Sequence, residues 1–261
     1  GVGAAIGGLT IAAYGITTAL WIDTTTFLVA ALMLSMLPHG GPDASERGAT
    51  TPRVVFHEMV GGWKYILRSP PLRRVVFAKG LWASGGGAQI LILILISAEA
   101  GFGEIAAGAI GVLFMVRGFG SGFGPIAGRP LMANMRLRPY LLGLAVGTCG
   151  AFYVGVSLAE YGGFMLVLIF LAHAASGLNW VLSTTLLQER SADEWRGRVA
   201  GTDHFVITLM MGISAVAGGY ILTENILDLQ ELIAVTGLVQ ITLCILWIAL
   251  VSGPEKRMLQ A

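Results

Sequence analysis

The sequence predicts an all-α, multi-spanning membrane helix bundle, and three observations carry that prediction. Charged residues make up 12% of the 261 residues and hydrophobic ones 55%, whereas a soluble domain carries about 25% charged. Mean hydropathy is +0.77. Apolar runs repeatedly reach about 20 residues, the length a helix needs to cross about 30 Å of hydrocarbon. Lys and Arg also collect in every second connection between those runs, as they do in cytoplasmic loops.

Seven complete spans are expected, at roughly 18–37, 75–96, 106–127, 140–159, 164–186, 199–222 and 232–252, after a partial one at about 1–14. The segment 38–74 holds Arg47, Arg53, Lys64, Arg68, Arg73 and Arg74. Taking it as cytoplasmic puts three more basic segments on the same side. These are 128–139 with Arg129, Arg136 and Arg138, 187–198 with Arg190, Arg196 and Arg198, and the tail with Lys256 and Arg257. The alternate connections near 97–105, 160–163 and 223–231 hold no Lys or Arg, but carry Glu99, Glu104, Glu160, Glu224, Asp228 and Glu231. A miscounted span would break this alternation. The chain therefore divides into 1–37, the end of one helix bundle; 38–74, a linker; 75–252, a six-helix bundle; and 253–261, a cytoplasmic tail.

The linker opens with a Gly/Pro/charged stretch and then turns amphipathic. Thr51 suits an N-cap and Pro52 the first turn of a helix. Phe56, Met59, Val60, Trp63, Ile66 and Leu67 recur at helical spacing, and Ser69-Pro70-Pro71 ends the run. Such a basic amphipathic helix is expected to lie in the membrane interface.

Formal net charge is +1, which gives no basic field for nucleic acid. Cys149 and Cys244 sit in apolar runs and read as buried small hydrophobes, with no disulfide framework or metal site. No metal-ligand cluster or nucleotide-binding loop is present, and no cofactor is expected. Gly1 is not an initiator methionine, so the chain is expected to begin partway through a longer protein. The glycine pairs Gly3/Gly7, Gly118/Gly122, Gly120/Gly124 and Gly124/Gly128 are spaced to let helices approach closely.

Polar groups within spans are costly and mark wet cavities or helix contacts. Arg117 lies near the middle of its span, sharing a face with Gly120, Ser121 and Gly124; it reads as an anion contact, a gating ion pair or a structural pair. His173, Ser176, Asn179, Trp180 and Ser183 line one side of 164–186. His173 is either a proton relay or a satisfied interhelical donor. Asp203, one turn into its span beside His204, reads either as a carboxylate near a helix N-terminus that needs no partner or as the acid of a gate pair with Arg117 or with basic residues at the cytoplasmic mouth. Gln89 shares a face with Trp82, Gly85 and Gly86 and is a candidate substrate contact, with Gly85-Gly86-Gly87 a candidate hinge. Asp23, with its neighbouring threonines, is expected near water. Lys79 is expected to snorkel to the interface.

Four local motifs give these features a family. They are Gly3-Ala4-Ala5-Ile6-Gly7-Gly8, Gly62-Trp63-Lys64-Tyr65 with Arg68 to Arg74, Met115-Val116-Arg117-Gly118-Phe119-Gly120, and Gln188 through Arg196-Gly197-Arg198-Val199. In that order they resemble the middle and C-terminal half of major facilitator superfamily exporters, the branch that includes enterobactin and macrolide efflux proteins. The resemblance implies a C-terminal six-helix half plus the preceding one to two helices. It implies a secondary exporter of a small amphipathic molecule, proton-coupled, in the bacterial inner membrane with a cytoplasmic C-terminus. Its partners would be that substrate, the lipid bilayer and the missing N-terminal half. Ala4 and Ala192 stand where the family commonly has Pro, and the 128–139 loop lacks the family's Asp-Arg-x-Gly-Arg core. The alternatives are the membrane subunit of an ATP-driven transporter, which needs long cytoplasmic extensions, and an intramembrane transferase, for which His173 with Asp203 is the seed.

Overall fold

The computed structural model describes residues 2–36, 51–99 and 106–260. Every regular element among the described residues is helical. The long helices are α1 (Val2–Ser35), α3 (Pro70–Glu99), α4 (Ala106–Ala127), α6 (Arg138–Leu158), α7 (Gly163–Arg190), α8 (Arg196–Thr223) and α9 (Leu229–Leu246). Shorter ones are α2 (Pro52–Arg68), α5 (Arg129–Ala133) and α10 (Ser252–Gln260), with a 3-10 turn at Asp193–Trp195 and a π-helical turn at Trp247–Val251. Among the described residues seven stretches are long and apolar enough to cross a membrane, and they contain the cores of the seven expected spans. The chain is an integral membrane helix bundle.

The ends follow from local chemistry. Asp228 caps α9 by accepting from the Glu231 amide at 2.8 Å, while the Glu231 carboxylate accepts from the Asp228 amide at 2.9 Å. This reciprocal box satisfies two orphan donors. The Thr51 hydroxyl accepts from the Val54 amide at 3.3 Å, and Pro52 begins α2 as expected. Within α1 the helix breaks at Gly15, whose φ of +80° suits only glycine in practice. The expected partial span and the span after it are thus joined through one residue. From Ala13 onward none of α1 is buried, and α1 meets the bundle through α4.

Four long pairs build the core: α3 lies along α8, α4 along α7, and α6 along both α9 and α7. Small residues let these backbones touch. A Cβ placed on Gly120 or Gly124 would overlap the α7 backbone at Phe170 or Ala174, and one on Gly150 would overlap Gly237. Gly3 and Gly7 of α1 and Gly122 of α4 meet nothing within 4 Å, so of the expected pairs Gly120/Gly124 and Gly124/Gly128 mark close helix contact. Gly124→Leu would have to push α7 away, and overpacking of this kind costs about 1–3 kcal/mol or more. The expected result is loss of monodisperse protein on size exclusion, with Gly122→Leu tolerated.

Two apolar clusters stack along the bundle. One gathers Ile92, Ile96, Leu113, Tyr153, Met165, Ile169 and Ile233; the other gathers Ile66, Leu72, Val76, Leu142, Leu186, Val199 and Trp247. The second lies at the end carrying the basic segments. There Arg74 and Arg190 both grip Glu255, and Arg138 reaches Glu189 at 3.3 Å. The described parts of the basic segments therefore meet at one end. At the other end Tyr161 donates to Glu99 at 2.6 Å and accepts from Gln230 at 3.2 Å. Burial, and then the Glu99 carboxylate, push the Tyr161 phenol up to about 12, so it stays a donor through neutral pH.

Helix α2 docks on α8 and α3. Its expected apolar stripe divides: Ile66 enters the protein core, while Phe56 and Leu67 stay exposed.

Candidate functional site

Two polar clusters lie inside the bundle. The first joins α3, α7 and α8. Lys79 is 2% exposed and donates to Asp203 Oδ2 at 2.7 Å and to Thr184 Oγ1 at 3.2 Å. Its Nζ also sits 4.8 Å from the centre of the Trp180 ring. This corrects two expectations. Lys79 does not snorkel, because a carboxylate, a hydroxyl and an indole face receive its ammonium inside the bundle. Asp203 pairs with neither Arg117 nor the basic loops, because α8 packs along α3 and brings it to Lys79. The second Asp203 oxygen, Oδ1, is buried with no hydrogen-bond partner. A cavity of about 160 Å³ opens beside the pair, lined by Lys79, Trp180, Thr184, Gln188, Asp203 and His204 among others.

Trp82 extends this cluster toward the bundle centre. Its indole N–H donates to Ser176 Oγ at 2.9 Å, and its ring lies 5.6 Å from that of Trp180. Two adjacent members of the expected α7 stripe are therefore engaged from α3. Two opposite charges in a low-dielectric site attract strongly, but each has surrendered its hydration.

The second cluster joins α3, α6, α7 and α9. Gln89 donates to Gln240 Oε1 at 3.0 Å and contacts Cys149 Sγ at 3.6 Å. Gly85 makes room for this, since a Cβ there would overlap the Gln240 amide. The run Gly85–Gly87 stays helical within α3 and serves as a contact surface, not as a break. His173 Nε2 lies 3.0 Å from the Tyr153 hydroxyl, so His173 is a satisfied interhelical partner. Asn179 is fully buried with both amide atoms unpartnered.

The remaining candidates stand apart. Arg117 is half-buried, its guanidinium 5.7 Å from the Phe114 ring centre, with a buried Nε that has no partner. No carboxylate pairs with it among the described residues. Asp23 is exposed on α1, away from both clusters. His173 and Asp203 belong to different clusters, so the seed of a transferase site is not assembled. Among the described residues no group of His, Cys, Asp or Glu is arranged to hold a metal ion.

Sequence reasoning missed Thr184, Tyr153, Gln240 and Glu255. For Gln240 the signal was present: an amide in the middle of an apolar span needs a partner, as Gln89 does. Thr184 and Tyr153 carry no comparable mark.

Comparison with known proteins agrees with this architecture. The chain is 28% identical over 240 residues to the uncharacterized MFS-type transporter YfiS of Bacillus subtilis (strain 168), covering 85% of this chain and 53% of the relative. The chain thus spans about half the length of that curated relative. No solved structure matches it significantly. The family model of the Major Facilitator Superfamily matches residues 1–215, and this membrane-spanning bundle belongs to that superfamily.

Proposed function

We propose that this chain is the C-terminal part of a secondary exporter of the drug or siderophore efflux type. It moves a small amphipathic molecule by alternating access, coupled to protons, in the bacterial inner membrane. The basic end is cytoplasmic, following the rule that Lys and Arg stay inside. The observation that carries the reading is the buried Lys79–Asp203 pair, which ties α3 to α8 beside a cavity. A proton arriving at Asp203 loosens that tie, and losing it restores the tie.

Transporters built from two repeats bind substrate between them, near the bilayer midplane. The second wall of the cavity is assigned to an N-terminal half. Its contact surface includes the exposed apolar face of α8, where Phe205, Leu209, Ile213, Val216 and Tyr220 border a groove of about 770 Å³. The packing of α1 on α4 supports this arrangement from another side of the bundle.

Arg117 is a charged group near the middle of its span with an unspent donor, and it is assigned to an anionic group of the substrate or of the opposite wall. Arg117→Ala in the full-length transporter is expected to cut efflux of a lipophilic dye by about tenfold or more, the worth of one charged hydrogen bond. Membrane abundance should be unchanged, because no partner is orphaned. Unchanged efflux would sink this assignment. The reaction class is tested by dye efflux in cells: it should collapse with a protonophore and survive ATP depletion.

A further inference from the structure

Helix α2 has one edge in the protein and one edge that is exposed among the described residues. Gly62 and Ile66 are buried, and Tyr65 stacks on Trp195 with ring centres 4.6 Å apart. Glu58, the acid on this helix, is occupied by Arg198, whose Nη2 lies 2.9 Å from Glu58 Oε1. On the opposite side Arg53, His57, Lys64 and Arg68 are all exposed. At 100° per residue they fall within a sector about 60° wide. The adjoining sector is apolar: Phe56 and Leu67 are 63% and 46% exposed, and Val60 and Trp63 are half-buried. Only Ser69 separates α2 from α3, which spans the membrane. The free edge therefore lies at the level where the chain enters the bilayer.

We propose that this edge is a binding surface for anionic phospholipid headgroups. The cations of Arg53, Lys64 and Arg68 meet phosphates, while Phe56, Leu67 and the free flank of Trp63 enter the acyl boundary. Charge complementarity selects this occupant. The exposed edge carries three permanent positive charges, and the one acid of α2 is neutralised on the other side. Aromatic rings prefer the headgroup level, and an amphipathic helix with a basic sector beside an apolar one lies in the interface plane. The protein contacts through Gly62, Tyr65 and Ile66 hold α2 in the rotation that presents this edge. The lipid site thus grips the same helix that braces the Arg198 end of α8.

The test uses the full-length transporter in nanodiscs of phosphatidylcholine alone or with one third phosphatidylglycerol. Cys149 and Cys244 are replaced by alanine, and a spin label is placed through Leu67→Cys. With phosphatidylglycerol the label should collide more with oxygen and less with an aqueous nickel reagent. High salt should reverse the shift, because exposed charges are screened. The variant R53Q/K64Q/R68Q should lose the shift and retain about a hundredfold less phosphatidylglycerol by native mass spectrometry, at about fivefold per cation. Equal collision profiles in the two lipids would overturn the proposal. A label shielded from both reagents in both lipids would also overturn it, showing that protein covers this edge.

Discussion

Asp203→Ala, with Lys79 left in place, will lower the stability of the bundle by about 3–5 kcal/mol, the cost of leaving one member of a buried pair uncompensated. Lys79 would keep only the Thr184 hydroxyl and the Trp180 face. The double change K79M/D203L should recover most of that loss, because apolar residues of similar volume replace a buried pair at little cost. Thermal unfolding of the full-length protein in detergent measures both. Transport separates them from a purely structural role: the double variant should fold and reach the membrane, yet fail to concentrate substrate against a gradient. If the single and double variants are equally stable, the pair contributes no net attraction.

Glu255→Ala will have the second large effect. This carboxylate is 4% exposed and accepts from Arg190 Nη2 at 2.7 Å while also taking the Arg74 guanidinium. Arg190 is anchored independently to the Pro71 carbonyl at 2.9 Å. Removing the acid leaves two facing guanidiniums with a shared site and no counter-charge. A loss of about 3–5 kcal/mol is expected, together with release of α10. Hydrogen exchange across residues 252–260 would rise in the variant. Unchanged protection there would show that apolar contacts alone hold α10.

The crossings were legible because a membrane imposes a length and a composition on every span, and the alternation of basic segments checked their count. The capped start of α2 was legible for the same kind of local reason: Thr51 and Pro52 act within one turn. What escaped was set by packing between distant segments. Lys79 stands nine residues after Pro70 in α3, a position that reads as one from which a lysine escapes to water. Nothing near it in sequence announces Asp203, which is 124 residues away and arrives through the pairing of α3 with α8. Arg117 and Asp203 were matched by sign alone, and sign does not say which helices touch. The stretch after residue 252 read as a cytoplasmic tail because it carries Lys256 and Arg257; in the structure both are exposed while Glu255, between Pro254 and Lys256, is buried. The glycines of α4 were informative because α7 lies against them. At the same spacing in α1, an added Cβ on Gly3 or Gly7 meets nothing within 4 Å.

In the proposed function this bundle serves a secondary transporter whose driving force acts through the Lys79–Asp203 pair. The most direct test of that role is uptake of a fluorescent amphipathic dye into proteoliposomes of the full-length protein, energised only by an imposed pH gradient. Wild-type protein should accumulate dye without ATP, and the folded K79M/D203L variant should only equilibrate it. Accumulation by that variant at the wild-type level, or wild-type accumulation that needs ATP and ignores the gradient, would contradict the account.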